Sequence, residues 1–114
     1  MNETVETKSF YFAVRIVKLY KYLTDGKKEH TMSRQLLRCG TSIGANIAES
    51  QQAQSRPDFI SKLNIALKEA CETDYWIRLL VATEYLCNSQ VESLLEECRE
   101  IEKMLTAIIK SSKQ

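Results

Sequence analysis

The sequence predicts an all-α protein, folded as a bundle of four helices in one domain that covers residues 1–114. This length suits one domain with a single core. Three glycines and one proline are too few for the many tight turns of an all-β protein, and the chain is 44% hydrophobic and 27% charged. In four segments, apolar residues recur at steps of three and four, which is the period of an amphipathic helix.

The first predicted helix runs from about residue 5 to residue 23. Phe12, Ile16 and Leu23 fall within one narrow arc at 3.6 residues per turn, so they should form its core side. The sequence Thr-Asp-Gly that ends at Gly26 should terminate this helix.

The second helix is predicted over about 31–52 and the third over about 56–86. Thr31 is the expected N-cap of the second helix, because its hydroxyl can accept a hydrogen bond from the first free amides. Ser55 is the expected cap of the third helix, where Pro57 is tolerated in the first turn.

The fourth helix is predicted over about 90–110. The four residues from Ser89 to Glu92 fit a capping box, and an apolar stripe follows from Val91 to Ile108. Four amphipathic helices with short connections most simply pack as an antiparallel, up-down-up-down bundle.

No segment of the sequence is expected to cross a membrane. The longest central apolar run, from Trp76 to Ala82, is interrupted by Arg78, whereas a span needs roughly 18 apolar residues. The N-terminus, MNETVETKSF, lacks the basic and then apolar order of a secretory signal. We therefore expect a cytoplasmic protein with no membrane partner.

The sequence lacks the common enzyme signatures. Gly26, Gly40 and Gly44 fit neither a phosphate-binding loop nor a dinucleotide-binding turn, and His30 has no nucleophile near it in the sequence. The acidic segment 69–74 lacks the Glu-x-x-His pairs of di-iron bundles. We therefore expect no enzymatic activity, no catalytic or metal-binding residue, no cofactor and no small-molecule substrate.

The four cysteines contain no C-x-x-C pair, and three of them fall on apolar helical stripes. This pattern is typical of small core residues, and a structural zinc site or a disulfide framework is the alternative. The four are Cys39, Cys71, Cys87 and Cys98.

The second helix contains the stretch QLLRCGTSIGANIAES, residues 35–50, which has three different faces. Its core stripe comprises Met32, Leu36, Cys39, Ile43 and Ile47. A row of small residues on one side comprises Ser33, Gly40, Gly44 and Ala48. A polar ladder on the other side comprises Gln35, Arg38, Ser42, Asn46 and Glu49.

Each glycine inside a helix costs roughly 1 kcal/mol relative to alanine, so the small row should allow another backbone to approach closely. The polar ladder is either a solvated face or a set of hydrogen-bonding groups at a contact. With three distinct faces, the helix is expected to lie between neighbours, one of them another subunit. The small row and the polar ladder are the predicted helix and subunit contacts.

The first third of the chain is basic and the remainder is acidic. Residues 1–40 hold eight Lys or Arg against four Asp or Glu, and residues 41–114 hold eight against eleven. Basic side chains with interleaved tyrosines can contact phosphates and stack bases, although a solvated face or a subunit contact is the alternative. The candidate nucleic-acid-binding residues are Lys8, Tyr11, Arg15, Lys18, Tyr22, Lys27, Lys28 and Arg34.

Two blocks, QLLRCGTSIGANIAES and DFISKLNIALKEACETDYWIRLL, give the chain a resemblance to a known family. It resembles the four-helix-bundle proteins encoded within intervening sequences of bacterial 23S ribosomal RNA genes. The similarity extends over nearly the whole length. Two positions depart from the family pattern, since the family often has proline where Gly44 stands and glycine where Ser50 stands.

The resemblance implies a homopentameric ring. A distant branch, the accessory variability proteins of diversity-generating retroelements, is strongly basic and binds nucleic acid and a reverse transcriptase. Two functional hypotheses follow: a non-enzymatic, homo-oligomeric module that binds RNA, DNA or a nucleic-acid enzyme through the first helix, or a purely protein-binding or structural assembly with no nucleic-acid role. An enzyme that uses the polar ladder as its site is a third, weaker hypothesis.

Overall fold

Four α-helices form the computed structural model, which describes residues 3–114 and contains no strand within that range. The helices are α1 (Val5–Lys21), α2 (Met32–Ser50), α3 (Arg56–Ala82) and α4 (Asn88–Ser112). A π-helical turn, Tyr22–Gly26, continues directly from α1.

Each helix buries one apolar stripe, and the four stripes meet in one core. The main contacts join α1 to α2, α2 to α3, α3 to α4 and α4 back to α1, so each helix has two neighbours. Burying one large aliphatic or aromatic side chain contributes about 1.5–3 kcal/mol. The largest fully buried side chains are Phe12, Ile16, Leu23, Leu36, Ile43, Ile47, Leu63, Ile77, Leu80, Val91, Ile101 and Leu105.

The start of α2 differs from the prediction, because Glu29 caps this helix and the side chain of Thr31 does not. The Glu29 carboxylate accepts hydrogen bonds from the amides of Thr31, Met32 and Ser33 at 3.2, 2.9 and 2.9 Å. The Ser33 hydroxyl donates in return to the Glu29 carbonyl at 2.8 Å. A carboxylate suits this position because the N-terminus of a helix carries partial positive charge.

The chain reversal before α2 uses Lys28, whose φ of 55° is left-handed, whereas Gly26 does not have a positive φ. The amide of Glu29 then donates to the carbonyl of Leu23 at 2.9 Å. This geometry brings the Glu29 carboxylate under the first turn of α2, where it is only 6% exposed.

α3 ends at Ala82, four residues before its predicted end. Glu84 adopts a left-handed φ of 69°, and the amide of Tyr85 donates to the carbonyl of Leu80 at 3.0 Å. The left-handed Glu84 and the bond from Tyr85 to Leu80 are the features of a Schellman motif, which ends the helix although no glycine is present.

α4 begins at Asn88, two residues earlier than the sequence suggested. The Gln90 side chain accepts a hydrogen bond from the amide of Cys87 at 2.8 Å, so the cap residue is Cys87 and not Ser89. α3 itself starts at the expected cap, where the Ser55 hydroxyl accepts from the amide of Asp58 at 3.2 Å. Within residues 3–114, no helix is long and apolar enough to cross a membrane.

The cap of α2 gives a prediction about stability. Glu29→Ala should lower the free energy of unfolding by about 1–3 kcal/mol, because three helix amides lose a charged acceptor. Thr31→Ala is the matched control and should change it by less than about 0.5 kcal/mol. Urea unfolding followed by circular dichroism measures both variants, and equal losses would contradict capping by Glu29.

Candidate interaction surface

The small row of α2 packs against α1 of the same chain. A Cβ atom placed on Gly40 would lie 2.8 Å from two carbons of the Ile16 side chain, and one on Gly44 would lie 3.3 Å from the carbonyl oxygen of Ser9. Both glycines therefore permit a close approach between the helices. Ser33 is buried at the cap of α2, and Ala48 is exposed near its C-terminus.

An apolar groove of about 470 Å³ lies between α1 and α2, next to this contact. We call it the α1/α2 groove. Its lining includes Phe10, Ala13, Gly44, Ala45 and Ala48, with Glu6, Ser9, Thr41 and Gln51 as the polar residues. The small residues of α2 create this depression because they leave little side-chain volume beside α1.

The outer side of α1 carries a second apolar stripe, which faces solvent. Phe10 is 63% exposed, and Val14 and Val17 follow it at helical spacing with 36% exposed each. The Tyr11 ring lies beside Phe10, edge to face, with 5.5 Å between centroids. We call these four residues the α1 face. A contiguous exposed apolar surface next to a groove is typical of a protein contact site.

Ion pairs join three of the four pairs of neighbouring helices. Between α1 and α4, Lys8 pairs with Glu100 at 2.8 Å and Arg15 with Glu97 at 3.1 Å. Arg38 of α2 pairs with carboxylates of α3, and Asp74 and Arg99 link α3 to α4 at 2.9 Å.

The fourth pair, α1 and α2, differs from the others. In the described part of the chain, no ion pair or side-chain hydrogen bond connects these two helices. We call this contact the open seam. It combines close backbone packing with an uncovered apolar rim, which suits it to a further protein surface.

The polar ladder of α2 lies over the contact with α3. Arg38 donates to Glu69 at 3.2 Å and to Glu72, and Gln35 accepts from Arg38 at 3.5 Å. Trp76 also donates to Glu72 at 3.0 Å, and this bond together with those from Arg38 lowers the pKa of Glu72. Gln35 and Arg38, the N-terminal part of the ladder, therefore connect α2 to α3.

The C-terminal part of the ladder comprises Ser42, Asn46 and Glu49. It forms hydrogen bonds within α2 or a weak ion pair. The Asn46 amide donates to the Ser42 carbonyl and hydroxyl at 2.9 and 3.0 Å. Glu49 lies 3.8 Å from Lys62 of α3. Asn46 thus has partners inside the chain, and its amide is half-buried at the surface.

The candidate nucleic-acid-binding residues divide into two groups. Lys8 and Arg15 are paired with α4 carboxylates, and Arg15 also donates to the Ser93 hydroxyl at 3.2 Å. The hydrogen bond to Glu100 raises the pKa of Lys8. Tyr11 is 59% exposed beside this pair of helices. The basic groups on this side of α1 thus face an acidic neighbour.

The second group lies at the end of the bundle where the chain turns from α1 into α2. Lys18, Lys27, Lys28 and Arg34 are exposed, and within residues 3–114 none has a carboxylate oxygen within 4 Å. The Lys27 ammonium lies 5.9 Å from the centre of the Tyr22 ring, which is a cation–π distance. We call these four cations the loop-end cluster.

The cysteines occupy two environments. Cys39 and Cys98 are buried, and burial raises the pKa of Cys39 to about 11 and that of Cys98 further. Cys71 and Cys87 are exposed. All four are free thiols, and no cluster of three or more His, Cys, Asp or Glu side chains suited to a metal occurs among the described residues.

Sequence reasoning missed the open seam and the α1 face. Phe10, Val14 and Val17 are spaced by four and three, which is itself a helical signal. The stripe of Phe12 and Ile16 accounts for the core, so a second apolar stripe on the same helix could have indicated an external contact.

A family model described as 23S rRNA-intervening sequence protein matches residues 1–107. The chain is also similar to a protein of unknown function from the S23 ribosomal protein family of Bacteroides thetaiotaomicron VPI-5482, whose crystal structure was solved at 1.70 Å resolution. The two are 61% identical, with a TM-score of 0.93 over 94% of this chain and 99% of the other. No curated protein matches the chain.

The contact between Gly40 and Ile16 gives a second prediction. Gly40→Ala should lower the free energy of unfolding by about 1–3 kcal/mol through overpacking, although alanine is the better helix former by about 1 kcal/mol. Gly44→Ala is the control and should cost less, because its nearest atoms lie 3.3–3.5 Å away.

A double-mutant cycle in thermal or urea unfolding isolates the contact. Ile16→Ala removes the side chain that the new Cβ would meet, so the Gly40 and Ile16 changes together should cost less than the sum of the two. Strict additivity would contradict direct packing between these residues.

Proposed function

Because the chain belongs to the family of 23S rRNA-intervening sequence proteins, we propose that it is a non-enzymatic module that assembles with further copies of itself. Family membership agrees with the resemblance of its second and third helices. The resemblance implies five chains in a ring, and we adopt that number. The contact surface is the α1 face together with the α1/α2 groove.

The open seam is the observation that carries this proposal. Polar pairs cover the other three helix contacts, whereas this one presents Phe10, Val14 and Val17 beside an apolar groove. Covering exposed apolar surface contributes about 25 cal/mol per Å². Assembly through the open seam would bury Phe10, the most exposed large hydrophobic side chain of the described residues, together with Val14 and Val17.

We also propose that the four helices run up-down-up-down. Lys8 meets Glu100 whereas Arg15, further along α1, meets Glu97, so the order of contacts reverses between α1 and α4. The contacts at the other three seams reverse in the same way. Antiparallel neighbours explain this order at every seam.

The positions of the ionisable groups support a non-enzymatic role. Arg38, Glu69 and Glu72 form a network of hydrogen bonds between α2 and α3. The polar ladder, which was the third candidate for a reaction site, is therefore accounted for by structural bonds.

The proposal predicts that Phe10→Glu breaks the assembly. Native mass spectrometry at micromolar concentration should find an oligomer for the natural sequence, with five chains expected, and a monomer for the variant, because a charge replaces the central apolar contact. Circular dichroism should show the same helix content for both.

Ile65→Glu is the matched control, since Ile65 is an apolar residue that is 39% exposed on α3, away from the open seam. It should keep the full mass. A monomeric natural protein, or an unchanged mass for Phe10→Glu, would contradict the proposed contact surface.

Nucleic-acid binding is a second candidate function, and the loop-end cluster is the observation that favours it. Its four cations have no carboxylate partner in the described range, whereas Lys8 and Arg15 are neutralised by α4. In a ring, each copy would present the same cluster, so weak phosphate contacts would add. RNA or DNA would then bind at the loop end of the bundle and not along the length of α1.

Lys18→Gln combined with Arg34→Gln tests this function. If these cations bind phosphates, removing each of them should reduce the slope of log affinity against log salt by about 1. Lys8→Gln combined with Arg15→Gln is the control and should leave the slope unchanged. Mobility shifts at two salt concentrations measure it, and no binding to RNA or DNA at low salt would leave the assembly that binds only protein.

A further inference from the structure

We propose that the α1 face of one chain packs into a second groove, between α3 and α4, on the next copy. This inference rests on the proposed self-assembly and names its other half. Each chain would then use two different surfaces, one to insert and one to receive, so that all contacts are head to tail.

The receiving surface is an apolar groove of about 740 Å³ between α3 and α4. Leu67, Cys71 and Ala107 form its apolar walls, and Cys71 and Ala107 are exposed. It is larger than the α1/α2 groove, and it offers space for an aromatic ring such as Phe10.

The two surfaces lie on opposite sides of the bundle. Contacts run from α1 to α2, α3, α4 and back to α1, so the seam between α1 and α2 is across the core from the seam between α3 and α4. A chain can therefore contact one neighbour with each surface at the same time.

The acidic border of the α1/α2 groove lies at the same height along the bundle as the α3/α4 groove. Lys8 pairs with Glu100 at 2.8 Å, which places these positions of α1 and α4 side by side. From there Glu6 is two residues and Lys103 three residues away toward the same end, about 3 and 4.5 Å along the axis. A neighbour related by rotation alone would bring Glu6 level with Lys103 in the α3/α4 groove, and Phe10 close to the level of Arg99, at the edge of that groove.

The charges around the two grooves are complementary. Glu6 borders the α1/α2 groove, and Glu3, which precedes the N-cap residue Thr4 of α1, adds a second exposed carboxylate at that end. Lys103 and Lys110 border the α3/α4 groove, where Glu102 is the one carboxylate. Within residues 3–114, neither lysine has a carboxylate oxygen within 4 Å. Opposite charges across a contact favour this pairing over one between two identical α1 faces.

A head-to-tail contact between unlike surfaces has a consequence for assembly. It closes into a ring when the rotation between copies completes a circle, and it otherwise continues as a filament. A contact between identical surfaces would stop at a dimer. The same two surfaces therefore account for an assembly of more than two chains.

Two variants, each with one damaged surface, test the proposal. Phe10→Glu damages the inserting surface, and Ala107→Glu places a carboxylate in the receiving groove. Each variant alone should be monomeric by native mass spectrometry and helical by circular dichroism. Mixed in equal amounts, they should form a dimer of one copy of each and nothing larger, because only one intact contact remains.

Ala82→Glu is the control for the groove variant, since Ala82 is an exposed alanine at the end of α3. It should keep the full mass. If Ala107→Glu also keeps the full mass while Phe10→Glu is monomeric, the head-to-tail inference is overturned and self-assembly through the α1 face stands. If the natural sequence is monomeric, both fail. A mixture that contains no dimer of the two variants would likewise overturn the inference.

Discussion

The close approach of α1 and α2 is the constraint on which the rest of the molecule depends. At Gly40, two carbons of the Ile16 side chain lie only 2.8 Å from the ideal position of a Cβ atom, so any larger residue would crowd them. The roughly 1 kcal/mol that a glycine costs a helix is offset by the packing of a fully buried isoleucine. Two helices held this close leave no room for long charged side chains between them, so their contact lacks the ion pairs found elsewhere. The small residues thereby produce both a tight internal contact and an apolar rim.

The sides of α1 differ in their electrostatic surroundings. The side toward α4 is neutralised, because Lys8 and Arg15 meet Glu100 and Glu97. The side toward solvent carries the α1 face, and beyond it, near the turn into α2, lies the loop-end cluster, whose cations have no carboxylate partner among residues 3–114. A count of charges along the first third of the chain treats these as one basic surface. Glu97 and Glu100 of α4, which are distant in the sequence, neutralise only Lys8 and Arg15.

The helix ends illustrate how local sequence signals compete. Thr31 and Ser89 are good capping residues by type, yet Glu29 and Gln90 supply the observed capping bonds. Glu29 reaches its amides because the preceding turn places it under α2, whereas Gln90 reaches back from the first turn of α4 to the amide of Cys87. At Lys28 and Glu84, non-glycine residues adopt left-handed backbone angles, and residue type gave no indication of either turn. At the starts of α2 and α4, residue type alone did not identify the capping side chain, whereas at α3 the expected Ser55 caps the helix.

The sequence by itself determined the all-α class, the four helices, most of the core and the family, because helical periodicity and local motifs are properties of neighbouring residues. The burial of Phe12, Ile16, Leu36, Ile43, Ile101 and Leu105 follows from that periodicity alone. Tertiary structure decided which carboxylate meets which cation, that the glycines face Ile16 and Ser9 of their own chain, and that Phe10, Val14 and Val17 remain uncovered. The physical reason is that each of these outcomes depends on which helices become neighbours. That is set by the packing of all four stripes at once, and no single stretch of sequence contains it.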